Sequence, residues 1–320
     1  MFWRAPLVAE EVYPTYEALI AQQEALLPRA SHDAGIWRIP NGEAIYADAL
    51  KSNTTTDMTA DEIHRLGLAE VARIEEAMAR APAIFVTILP QPVEIVRIPE
   101  FSEDSAPGGY YEGPALDGSR PGRFYINLKD TADNPRWTLP TLLYHEAAPG
   151  HHFQISRATL IEDVPFLRKF SPFSAYNEGW ALYAEKLAAE DIGLYADDPM
   201  GDLGRLQAEM FRAVRLVVDT GMHAKRWSRE EAIDYMAAKT GMTLEEVTRE
   251  IERYVVWPGQ ATAYKSGQLA IIRMREDAEG ALGDKFDLRA FNEAILENGS
   301  MPLGVLEERM TRWTTAQAEG

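Results

Sequence analysis

Residues 144–154 read Tyr144-His145-Glu146-Ala147-Ala148-Pro149-Gly150-His151-His152-Phe153-Gln154, placing three of the chain's six histidines within eight residues and a glutamate directly after the first. In the helical pattern H-E-x-x-H, histidines at i and i+4 share a face and hold a metal while the glutamate acts as a base. Position i+4 here is Pro149, which has no ligand atom to offer. His152 follows His145 by seven residues, about 10.5 Å along a straight helix at 1.5 Å per residue. That is too far for two nitrogens that must each sit about 2.0–2.1 Å from one ion. Pro149 removes a helical N–H and Gly150 tolerates unusual backbone angles, so the pair predicts a kink or bulge. If the break absorbs two residues, His151 reaches the vacant position; His152 is the alternative ligand.

Working outward, Thr138 to Ala148 reads as a helix with Pro140 tolerated in its first turn. Almost everything after it is helical: Asn177 to Leu187, Leu203 to Lys225, two helices opened by the capping boxes Ser228-Arg-Glu-Glu231 and Thr243-Leu-Glu-Glu246, Gln260 to Leu282, and two short C-terminal helices. Strand signals cluster upstream, in Ile84 to Leu89, Val93 to Ile98 and Arg123 to Leu128, the last alternating Phe124, Ile126 and Leu128 against Arg123, Tyr125 and Asn127. Between them, Ser102 to Gly122 reads as a Gly/Pro-rich loop. The strand from Arg123 is a candidate edge for an extended substrate backbone, or an internal strand. Nearer the start, residues 8–28 read as a surface helix. Thr59-Ala-Asp-Glu62 opens another helix, with Leu66, Leu68, Val71, Ile74 and Met78 as its buried stripe and His64 as a surface or capping histidine. The expectation is a mainly α protein with a small β-sheet (α+β), one domain over 1–320, strand-rich over 83–128 and helical over 138–317.

Composition bounds the function. The 320 residues are 46% hydrophobic, enough for a folded core. Lys+Arg 32 against Asp+Glu 50 leaves a formal charge of −18, which disfavours nucleic acid and anionic membrane surfaces as partners. With no cysteine, a metal must be held by histidine and carboxylate. No apolar run approaches the ~20 residues of a membrane span, and the start, Met-Phe-Trp-Arg-Ala-Pro-Leu, lacks a signal-peptide layout. The default expectation is cytoplasmic, or periplasmic or secreted if a further region precedes residue 1. The oligomeric state is not legible.

The motif H-E-x-x-P-G-H-x-x-Q resembles that of the bacterial domain-of-unknown-function 885 family, whose members look like zinc metallopeptidases of the gluzincin type. Thr59 to Met78, Pro114 to Gly122, Asn177 to Glu185, Arg215 to His223 and Pro258 to Gln268 carry the resemblance over nearly the whole chain. Members are commonly longer, with a helical region ahead of what is here residue 1, so the sequence resembles a C-terminal catalytic part with a gluzincin/oligopeptidase-like helical fold. The resemblance implies one Zn2+ ion held by His145 and His151, with Glu178 as third ligand and Glu146 as general base. Glu185 is a candidate for orienting a ligand.

Arg215, Asp219 and His223 recur at i, i+4 and i+8. They form either an exposed ion-pair ladder or a buried network in which Asp219 orients His223 as an oxyanion donor; Tyr264 is the rival donor. Arg123, Tyr125 and Asn127 are candidate substrate-binding positions, and Lys265, Arg123 and Arg120 candidate carboxylate binders. The expected activity is zinc-dependent hydrolysis of a peptide or small amide. The alternatives are a metal hydrolase of non-peptide amides or esters, and a catalytically silent, metal-stabilised peptide-binding domain.

Overall fold

The computed structural model describes residues 10, 13–26, 28, 40–45, 47, 59, 93–103, 106–115, 118–129, 135–161 and 173–319. Contacts group the chain into two compact units, Met1–Ile74 and Glu75–Gly320. In the first, helix α1 (Tyr13–Leu26) lies within the helix expected over residues 8–28. Beyond Thr59 itself, the helix expected from Thr59 to Met78, His64 within it, and the strand expected from Ile84 to Leu89 lie outside the described residues.

The second unit is mainly helical with a small mixed sheet, in keeping with the sequence. Its strands are β1 (Val93–Arg97), β2 (Gly109–Glu112) and β3 (Gly122–Ile126), in the order β1-β3-β2. β3 runs parallel to β1 and antiparallel to β2. One alternative is decided and one expectation corrected here. The Arg123 strand is central, hydrogen-bonded on both sides, and so has no free edge for a substrate. Tyr110-Tyr-Glu, expected in a loop, is instead strand β2, at the edge of the sheet among the described residues, because its tyrosines suit a pleated, half-buried surface and Tyr110 stacks on Tyr125 across the ladder with ring centroids 4.8 Å apart.

The helices follow as α2 (Leu139–Glu146), α3 (His151–Thr159), α4 (Ser174–Lys186), α5 (Pro199–Lys225), α6 (Arg229–Thr240), α7 (Leu244–Val256), α8 (Ala263–Leu282), α9 (Leu288–Leu296) and α10 (Leu303–Glu319). Local chemistry sets their ends. Asp198 caps α5, accepting from the Gly201 N–H with Pro199 in the first turn. Ser228 and Glu231 complete both halves of the expected capping box on α6, and Thr243 accepts from the Glu246 N–H on α7.

Three apolar clusters hold the described part of the unit together, the smallest made by Tyr144, Ala188 and Tyr195. One joins α4, α8, α9 and α10 through residues such as Trp180, Tyr183, Ile271, Phe291 and Leu306. Another joins α5, α6 and α7 through Val218, Met236, Ile251 and Tyr254. α4 and α8 cross so closely that a Cβ on Gly267 would lie 1.9 Å from the Ala175 carbonyl oxygen, and one on Gly179 would lie 2.5 Å from the Gly267 carbonyl carbon. Only two glycines permit that approach, and it fixes the helix that carries Glu178.

Candidate metal centre

The helix containing His145 ends at Glu146 and restarts at His151, as the Pro149-Gly150 pair predicts. Ala147 bridges the break: its N–H donates to the Leu143 carbonyl, and its own carbonyl accepts from the His152 N–H at 3.1 Å. Gly150 passes so near the end of α2 that a Cβ there would lie 1.9 Å from the His145 carbonyl oxygen. Trp180, fully buried on α4, donates from Nε1 to the Pro149 carbonyl at 3.0 Å, tying the break to the helix that bears Glu178.

The reversal brings three ligand atoms together. Nε2 of His145 lies 3.5 Å and Nε2 of His151 3.3 Å from Oε2 of Glu178, and His145, His151 and Glu178 form a group whose ligand atoms all lie within 4.8 Å of one another. Four ligands placed tetrahedrally at about 2.0–2.1 Å from an ion stand roughly 3.3–3.4 Å apart, so the two carboxylate-to-imidazole spacings fit a zinc-sized ion. The far nitrogen of His145 is also taken: Nδ1 lies 2.8 Å from Oε1 of Glu185, the kind of carboxylate contact that fixes a ligating imidazole. Nδ1 of His151 is buried without a hydrogen-bond partner among the described residues.

His152 turns the other way. Its Nδ1 lies 2.8 Å from the Tyr111 hydroxyl on β2 and 3.2 Å from the Ser156 hydroxyl. The geometry therefore brings His151, and not His152, to the group.

Electrostatics reinforce the cluster. Burial opposes a charge on His145, but hydrogen bonds with Glu178 and Glu185 more than offset it and push the imidazole up to about 9. Burial likewise opposes ionisation of Glu178, yet His145 and His151 hold it well below the usual carboxylate range. The group is thus two imidazoles gathered around a carboxylate whose charge they stabilise.

His145, His151, Glu146 and Glu178 line a cleft of about 930 Å³. It is lined by β2 and the residues just before it, Ala106 to Tyr111, by residues of α5 and α7, and by Tyr264. Burial raises the Tyr264 phenol above its ordinary value, helped by the negative charge of Glu178 and opposed by Arg215, so the group stays a protonated donor at neutral pH. Arg215 lies over its ring, 4.4 Å from the centroid, and is held in turn by Glu250 and the Tyr254 hydroxyl.

Several candidates fall elsewhere. Asp219 does not orient His223: its carboxylate accepts from the Gly259 N–H at 3.1 Å, and Nε2 of His223 sits 3.1 Å from the Tyr254 carbonyl. Both residues brace the chain leading from α7 to α8, and His223 does not line the cleft. Arg215, by contrast, lines the cleft and ties α5 to α7 through Glu250 and the Tyr254 hydroxyl. Arg123 pairs with Glu94 on the sheet surface, Tyr125 stacks on Tyr110, and buried Asn127 donates to the Glu103 and Ala106 carbonyls; none lines the cleft. Lys265 is engaged by Glu209 and Gln268, and Arg120 by the Gly113 carbonyl. The sequence reading missed Arg212, Trp180 and β2. Arg212 stands one helical turn before Arg215 on the face that meets the cleft, a spacing visible in the sequence.

The comparisons agree with this architecture. The chain matches a crystal structure of a provisionally assigned lipoprotein from Colwellia psychrerythraea at 42% identity and a TM-score of 0.75, covering 97% of this chain and 61% of that one. A provisionally assigned lipoprotein of unknown function from Shewanella oneidensis shares the fold at 22% identity and a TM-score of 0.66, over 90% of this chain and 52% of its own. The chain thus spans about half to three fifths of the length of these structures. No curated protein matches it. The model of the family described as bacterial protein of unknown function (DUF885) matches residues 4–83 and 78–310. The chain belongs to the DUF885 family.

Proposed function

We propose that the protein is a zinc-dependent hydrolase of peptide or other amide bonds, with a gluzincin-like site in which His145, His151 and Glu178 would hold one ion. The observation that carries this reading is the convergence of the three ligand atoms in a cleft that Glu146 also lines. When bound there, zinc supplies the Lewis acidity that polarises a carbonyl and makes water a nucleophile at neutral pH.

The chain's own residues do the rest. Glu185 fixes the His145 ring through Nδ1, leaving Nε2 directed at the shared site. Glu146 takes the proton from the attacking water and delivers it to the leaving amine. The Tyr264 hydroxyl donates to the oxygen on which charge develops, kept protonated by its burial. In the described structure β2 pairs on one side with β3, and its other edge offers main-chain groups to an extended substrate. The lipoprotein descriptions of the two structural relatives, with no described helix long and apolar enough to cross a membrane, support a place in the cell envelope for the protein.

The test is hydrolysis of a mixed peptide library by the zinc-loaded wild type and by Glu146→Gln, with metal content measured in both. Turnover by the wild type that falls about 10²- to 10⁴-fold in Glu146→Gln with zinc retained supports the reading. Equal turnover in the two proteins contradicts it. Binding of peptides without any cleavage by the wild type favours a silent binding domain instead.

A further inference from the structure

Arg212 is the cation of this cleft that the rest of the fold leaves least satisfied. It projects from α5, its side chain is 13% exposed, and it lines the cleft with His145 and Glu178. Its Nε is buried with no hydrogen-bond partner among the described residues. Nη1 donates to the Ala208 carbonyl at 3.2 Å, one turn back on the same helix. Nη2 forms a long ion pair with Oε1 of Glu185 at 3.8 Å, beyond hydrogen-bond distance, with an oxygen that already engages His145, and the guanidinium lies 5.5 Å from the centre of the Phe211 ring.

The neighbouring cations are better matched. Arg215 reaches both Glu250 and the Tyr254 hydroxyl, and Arg253 reaches Glu250 and Gln260. A guanidinium offers five donors in a planar fork suited to a carboxylate, and Nη2, which makes no hydrogen bond of normal length, has donor capacity left for a ligand. On a chain of net charge −18 the general field repels anions, so a cation sheltered inside the cleft acts locally.

We propose that Arg212 receives a carboxylate of the substrate, so that the cleft selects peptides carrying a free carboxylate close to the bond presented to His145, His151 and Glu178. The carboxylate comes either from a free C-terminus or from an Asp or Glu side chain. This rests on the hydrolase reading for what happens to the substrate, but not for its recognition.

Two sets of short N-acetylated peptides test it: matched pairs differing only in a free or amidated C-terminus, and matched pairs differing only in Asp or Asn. Turnover and equilibrium binding are measured for the zinc-loaded wild type, Arg212→Gln and Arg212→Lys. The expected result is a wild-type preference of about 10- to 100-fold in kcat/KM, or in Kd, for the acid member of one set. That ratio collapses towards one in Arg212→Gln and is partly restored in Arg212→Lys. The set that shows it identifies the source of the carboxylate.

A residue that only braces Glu185 lowers both members of a pair in parallel and leaves the ratio unchanged, and that result overturns the proposal. So does a wild type that shows no preference in either set. If the wild type binds the acid members preferentially but cleaves nothing, the hydrolase reading fails and the assignment of Arg212 stands.

Discussion

At the scale of single residues, the neighbours His151 and His152 point to opposite fates. Consecutive residues on a helix project about 100° apart, so once the chain restarts at Gly150 only one of them can face Glu178. His151 does, and His152 instead meets Tyr111 and Ser156. His151→Ala is expected to abolish stoichiometric zinc binding, while His152→Ala keeps it; calorimetric titration of both variants with zinc checks this, and the opposite outcome would exchange their roles. Tyr264 carries a second prediction. Removing its hydroxyl in Tyr264→Phe should lower kcat by about 10²- to 10³-fold with little change in KM. A rise in KM at constant kcat would make it a binding residue only.

At the scale of elements, the break between α2 and α3 depends on a glycine for lack of space rather than for an unusual φ. A methyl at position 150 meets the His145 and Tyr144 carbonyl oxygens at 1.9 and 2.4 Å, atoms of the backbone that cannot step aside. Gly150→Ala should therefore cost about 1–3 kcal/mol or more and weaken zinc binding together with stability. A melting temperature equal to that of the wild type would show that the break relaxes freely.

The brace of α5 against α7 has its own signature. Burial opposes ionisation of Glu250, but Arg215 and Arg253 hold it down to about 2 from an ordinary 4.5. A depressed carboxylate stabilises the fold above its unfolded value, so this contribution is complete above about pH 4.5 and fades as pH falls through about 2. Glu250→Gln leaves the buried Arg215 guanidinium without its carboxylate and should cost about 3–5 kcal/mol at pH 7. Urea titrations of the variant and the wild type at pH 7 and pH 3 test it, the difference between the two proteins shrinking at the lower pH. A difference independent of pH would remove Glu250 from the ledger of acid sensitivity.

At the scale of the whole molecule, the helical half was legible because it obeys local rules. Capping at Ser228 and Thr243 and the Pro149-Gly150 break are fixed by neighbours in sequence, and each is found where its residues predict. The sheet was less legible, since which strand lies at the edge depends on pairing partners tens of residues apart: β1 pairs with β3 across the loop that holds β2. The same limit governs the cleft. Asp219 and His223 share a stripe of α5, but the groups they meet, Gly259 and Tyr254, belong to other elements that no helical period reports. Arg212 is not legible in the same way, because its place in the cleft and its long, shared contact with Glu185 are set by the folded surroundings.

All of this turns on His145, His151 and Glu178 converging to hold an ion. Elemental analysis of the purified, zinc-equilibrated protein after removal of free metal tests that most directly. The account predicts one zinc per wild-type chain and essentially none in Glu178→Ala; a wild type that retains no metal, or a variant that retains as much, would contradict it.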